Sequence, residues 1–122
     1  MAVDVLLERA EIALREARFE RAEELVRAAR EAMREDPDAA RRVRLETISA
    51  TVEVAYGRHE AAIARFEQAL AVDPDLELDP RENSPKLRAA LVAARARRAA
   101  PEDSLPAVAA PPLDASPFGV EP

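Results

Sequence analysis

The chain has no cysteine and no tryptophan, and only two glycines, one histidine, one tyrosine and three phenylalanines among 122 residues. Without cysteine it can form neither disulfides nor thiolate zinc sites. With Gly57 and Gly119 alone it has no glycine-rich loop to cradle a phosphate. A single histidine excludes a two-histidine metal site. Four serines and that histidine show no nucleophile–base pairing at a suggestive spacing. Aromatic residues are too few for an all-β fold. No stretch approaches the roughly 20 apolar residues that span a bilayer. The N-terminus, Met1-Ala2-Val3-Asp4-Val5, lacks the basic segment and apolar run of a secretory signal. A soluble, cytoplasmic, non-membrane protein is expected.

What is abundant is alanine, 28 residues, and arginine, 17 against one lysine. Both are strong helix formers, so the fold class expected is all-α. That composition also suits a GC-rich coding sequence. The net charge of −6 is distributed in blocks. Residues 1–40 hold 11 acids and seven bases, residues 71–85 five acids and one base, and residues 86–100 five bases and no acid. A mostly acidic surface disfavours nucleic acid as a partner. The basic stretch from Lys86 to Arg98 is the exception. It is a solvated helix whose Arg97 and Arg98 sit favourably near a helix C-terminus, or else a contact for an acidic partner. From Pro101 onward the chain carries six of the ten prolines, four acids and no base. Proline at that density blocks helix, so residues 101–122 are expected to be a disordered, Pro/Ala-rich tail and residues 1–100 the domain.

Apolar residues recur at helical spacing within 1–100. Leu7, Ala10, Leu14 and Ala17 form one stripe; Ala22, Val26, Ala29 and Met33 a second; Leu45, Ile48, Val52 and Ala55 a third. Ala62, Phe66, Ala69 and Leu70 form the fourth, and Leu87, Leu91 and Ala94 the fifth. Stops and starts agree. A residue before proline leaves the α region, so Asp36-Pro37 and Asp73-Pro74 end helices. Gly57 can close one in the left-handed conformation, and Ser84-Pro85 opens the last as N-cap and first helical residue. Five helices follow, near 4–17, 20–35, 39–56, 59–72 and 85–99. A shift of 40 residues lays Ala17-Arg18-Phe19-Glu20-Arg21-Ala22 over Gly57-Arg58-His59-Glu60-Ala61-Ala62, and Ala29 over Ala69. Small residues at these spacings let two antiparallel helices approach closely, so the pattern describes one helix hairpin used twice.

The run Gly57-Arg58-His59-Glu60-Ala61-Ala62-Ile63-Ala64-Arg65-Phe66-Glu67-Gln68-Ala69-Leu70-Ala71-Val72-Asp73-Pro74 resembles the second half of a tetratricopeptide (TPR) repeat. His59 replaces the first aromatic of that signature, and in the first copy Ala17 replaces Gly and Glu23 replaces Ile. Glu46 stands where a large aromatic is usual, while Ala50 supplies the expected small residue. The resemblance implies two TPR-like antiparallel hairpins plus a capping helix, with Leu87 and Leu91 covering Phe66 and Leu70. The segment from Asp73 to Pro80 followed by Ser84-Pro85-Lys86 is similar to a junction in bacterial envelope-linked TPR proteins, which points to a bacterial source.

Catalysis is not expected: no catalytic residues, metal site or cofactor emerge. His59 aligns with Phe19 and is expected to pack as an aromatic substitute. Glu8, Glu11, Glu16, Glu20, Glu23 and Glu24 fit solvated helix faces, often four residues from an arginine. The alternation of Asp73, Asp75, Glu77 and Asp79 lacks the glycine and terminal Glu of a calcium loop. What the resemblance implies instead is capture of a peptide or partner helix in a concave groove lined by the first helix of each hairpin. Its positions would be Glu8, Glu11 and Arg15 on the first helix and Arg44, Thr47, Ile48 and Thr51 on the third. The function expected is a protein–protein adaptor in a bacterial multiprotein assembly. The alternatives are a self-assembling structural protein, a homo-oligomer, and a regulator docking through the basic fifth helix. Val5, Leu6 and Ile12 lie off the main stripe of the first helix and mark it as an open face.

Overall fold

The computed structural model describes residues 2–99; the tail expectation for residues 101–122 lies outside the described residues. Within them are five α-helices and no strand: α1 (Val3–Arg15), α2 (Phe19–Ala32), α3 (Ala39–Ala55), α4 (His59–Val72) and α5 (Pro85–Ala99). The caps are those that local chemistry favours. The Asp38 carboxylate accepts the Arg41 N–H at the start of α3, and Ser84 Oγ accepts the Leu87 N–H ahead of α5, with Pro85 as its first residue.

The first two helices are joined by the same turn as the third and fourth. Each helix ends in a left-handed residue, Ala17 at φ 60° and Gly57 at φ 75°. Behind the first, Ala17 N–H reaches Leu14 O at 3.0 Å and Arg18 N–H reaches Ala13 O at 2.8 Å. Behind the second, Gly57 N–H reaches Val54 O at 3.0 Å and Arg58 N–H reaches Glu53 O at 2.8 Å. These paired bonds are a Schellman cap, which satisfies the last carbonyls and turns the chain back. The residue before each following helix repeats as well, Arg18 at φ −94°, ψ 73° and Arg58 at φ −91°, ψ 73°. The 40-residue periodicity of the sequence is therefore a periodicity of backbone geometry.

The helices pack in chain order, and α3 touches every other one. Arg41 of α3 bonds Asp4 near the start of α1, and Arg44 bonds Glu11 further along, so α1 and α3 run side by side in the same direction. Arg97 near the end of α5 bonds Glu60 at the start of α4, an antiparallel pairing. One core cluster joins Leu7, Leu25 and Met33 of the first hairpin to Leu45, Ile48 and Val52 of α3. A second joins Ala50 of α3 to Ile63, Phe66 and Leu70 of α4 and Leu87 and Leu91 of α5. The two faces of α3 thus belong to different cores. Ala10, Ala22, Ala29, Ala62, Ala69 and Ala94 have no exposed surface, which brings neighbouring backbones close together.

Four local expectations need correction. Ala17 and Ala55, assigned to buried stripes, are exposed, because the chain is already turning there. The second helix ends at Ala32 instead of 35. Tighter i−3 bonds from Arg34 to Glu31 and from Asp36 to Met33 take over before Pro37 is reached. His59 does not pack as an aromatic substitute but is exposed. Its repeat partner Phe19 packs edge-on against Tyr56, ring centroids 6.4 Å apart, and that contact uses the last residue before the second turn. Leu6 is buried at 8% exposure, so the open face of α1 reduces to Val5 and Ile12.

Candidate interaction cleft between α1 and α3

The parallel course of α1 and α3 leaves a cleft of about 520 Å³ lined by Glu11, Leu14, Arg15, Thr47, Ile48, Thr51, Glu82 and Asn83. Five of the seven residues expected to form a groove meet here: Glu11, Arg15, Thr47, Ile48 and Thr51. Helical spacing brings them together, since Glu11 and Arg15, and Thr47 and Thr51, are four residues apart on one face.

Glu8 and Arg44 are not part of the lining. Glu8 is exposed on α1. Arg44 lies behind the cleft and grips Glu11 with two bonds, Nε to Oε2 at 3.0 Å and Nη2 to Oε1 at 2.6 Å. The Glu11 hydrogen bond holds the Arg44 guanidinium above its ordinary range. Arg44 therefore fixes a cleft carboxylate and neutralises it, and Arg15 is left as the cation of the lining with no carboxylate partner among the described residues. Thr51 Oγ1 donates to Thr47 O at 2.9 Å. Thr47 Oγ1 is shielded from solvent and has no hydrogen-bond partner among the described residues, a state that costs stability unless a polar group reaches it.

Leu14, Glu82 and Asn83 were not expected in the lining. Leu14 belongs to the core stripe by spacing, yet it is only half-buried at the edge of the first core. Glu82 and Asn83 come from the α4–α5 connection, which nothing in the sequence ties to α1. The structure does so through Leu76 and Leu78, which pack on the second core, and through Arg95, whose guanidinium donates to Leu76 O. Asn83 Nδ2 donates to Asp79 O at 2.9 Å, closing the end of this connection.

Outside the cleft, Arg58 and Arg30 make ion pairs across the seam between hairpins. Arg58 donates to Glu23 of α2 and to Glu53 of α3, both at 3.1 Å, and lies 4.5 Å from the Tyr56 ring centroid. These carboxylates hold its guanidinium above its ordinary range, Glu23 first. Glu23, assigned to a solvated face, is thus a link between repeats. Glu46 is 2% exposed and bound by Arg30. Among the described residues no group of three or more His, Asp or Glu side chains converges as a metal ion would need, and no helix is long and apolar enough to cross a membrane. No protein-family model, curated protein or solved structure matches the chain.

Proposed function

We propose that the chain is a TPR-like protein–protein adaptor that holds a peptide or helix of another protein in the α1–α3 cleft, within a bacterial, cytoplasmic multiprotein assembly. The observation that carries this reading is the convergence of Glu11, Arg15, Thr47, Ile48 and Thr51 on one cleft. An apolar floor of Leu14 and Ile48 beneath a few placed polar groups is the usual make-up of a recognition site. The floor supplies affinity through burial. Arg15 and Asn83 supply the polar contacts that would fix register. Repetition of one hairpin with a closing helix supports the TPR-like description, since such stacks present the first helix of each hairpin along one surface.

An enzymatic reading has less to stand on. The cleft contains carboxylates, hydroxyls and an arginine but no histidine beside any of them, because His59 is exposed at the start of α4. The test is affinity capture by the full chain and by an Arg15→Glu, Thr51→Arg variant, with circular dichroism as the folding control. Loss of the captured partner with unchanged helicity is expected. Equal capture by both proteins would reject the cleft as the binding site.

A further inference from the structure

The described stack ends on the outward face of α5, and that face is unusual in two respects. Val92 is 64% exposed, the most of any large apolar side chain among the described residues. Exposed Ala89 and Ala96 continue the same face three residues before it and four after it. Arg88 and Arg95 flank it at the complementary spacings, and each donates to a carbonyl of the α4–α5 connection, Asn83 O and Leu76 O. Of the five cations of α5, only Arg97 makes an ion pair among the described residues, with Glu60 at 2.9 Å. Lys86, Arg88, Arg95 and Arg98 have no carboxylate within pairing distance there, although the rest of the surface is rich in Arg–Glu pairs.

The sequence that follows α5 has the opposite character. Residues 101–122 carry Glu102, Asp103, Asp114 and Glu121 and no base, with Leu105 and Val108 between the first two acids and the Pro111-Pro112 pair. We propose that the segment Glu102–Val108 folds back on its own chain and lies along the outward face of α5, its acids toward Arg95 and Arg98, which have no carboxylate partner among the described residues, Leu105 over Val92 and Val108 further along toward Ala89. The reach is sufficient. Fifteen helical residues span about 22 Å, and an extended segment covers that distance in about seven residues at roughly 3.1 Å each. Pro101 has no backbone N–H with which to continue a helix. The segment contributes what the end of the stack lacks, an apolar cover and counter-charge, and it keeps the exposed face from pairing with other surfaces.

The absence of cysteine makes the test clean. An Ala109→Cys substitution in the full chain gives a single site for a nitroxide label, read by its broadening of backbone amide signals. A tail that does not dock broadens the C-terminal end of α5 most, because that end is nearest along the chain. The docked segment reverses the gradient, with signals of Leu87–Val92 lost and those near Ala99 less affected. This pattern should vanish in a Glu102→Lys, Asp103→Lys variant, which leaves the helices untouched. It should also vanish in about 1 M salt, where the Debye length falls to about 3 Å. A gradient decaying from the C-terminus of α5, or broadening that appears only between labelled and unlabelled molecules in a mixed sample, would overturn the proposal.

Discussion

Arg30 of α2 grips Glu46 of α3 with two parallel bonds, Nη1 to Oε2 at 2.8 Å and Nη2 to Oε1 at 3.0 Å, and Nη2 also reaches Ser49 Oγ at 3.1 Å. The carboxylate is almost wholly buried, while the guanidinium keeps about a third of its surface (32%) in water. The pair therefore spans the seam between the hairpins with its acidic end inside and its basic end reaching out. Removing the arginine leaves the buried carboxylate with Arg65 alone, 3.9 Å away and making no hydrogen bond to it; a fully stranded buried charge in general costs about 3–5 kcal/mol. The remaining Arg65 and the partial exposure of the site reduce this, so Arg30→Met should cost about 2 kcal/mol, or roughly 10 °C of melting temperature for a domain this size. An Arg30→Met, Glu46→Leu double variant should recover most of the loss, because two apolar groups leave no buried charge and Arg65 keeps more than a third of its surface in water. Thermal melts of the wild type and both variants test this; a double variant no better than the single would show that the site requires the ion pair.

The two hairpin turns make a second, opposite pair of predictions. Ala17 holds a left-handed conformation that costs an L-residue about 1 kcal/mol, while Gly57 holds it freely. Ala17→Gly should therefore stabilise by about 1 kcal/mol, since Ala17 is exposed and loses no packing. Gly57→Ala should destabilise by a similar amount through the backbone alone, because a Cβ there meets nothing within 4 Å. Urea unfolding of the two variants should bracket the wild type.

Acid should loosen the start of α1 and α3 first. The Arg41 hydrogen bond holds the Asp4 carboxyl below the usual range. The Asp38 N–H, followed by Arg41, does the same for Asp36. Both folded values lie under the unfolded one, so in that window the unfolded chain binds more protons and stability rises with pH. The contribution is complete above about pH 4, the unfolded aspartate value, and disappears as pH falls through the folded values. An Asp4→Asn, Asp36→Asn variant should lose stability at neutral pH and show a shallower decline as pH falls below about pH 4. A decline identical to that of the wild type would place the acid sensitivity elsewhere.

The hairpins were legible because small and large apolar residues recur with a fixed offset, and backbone geometry follows that offset as far as the Schellman bonds behind Ala17 and Gly57. Ser84 and Pro85 were legible because capping is local. Residues whose partners lie far along the chain were not. Glu46 departs from the pattern at an aromatic position, and only the fold brings Arg30 to it across 16 residues. Arg58 looks like any surface arginine until α2 supplies Glu23. His59 was misjudged because repeat alignment transfers residue positions but not neighbours: Phe19 packs on Tyr56, 37 residues further on, whereas the residue 37 on from His59 is Ala96. In the cleft, the helical residues followed from their spacing. Glu82 and Asn83 required the path of a connection anchored by Leu76 and Leu78, which periodicity does not encode.

The central claim is that a partner segment occupies the α1–α3 cleft, and site-specific photo-crosslinking in cells tests it most directly. A crosslinking amino acid replaces Arg15, in the cleft, or Ala64, exposed on α4 away from it. The account predicts one discrete crosslinked partner from position 15 and none from position 64. Crosslinks of the same partner from position 64 alone, or equally from both, would contradict it.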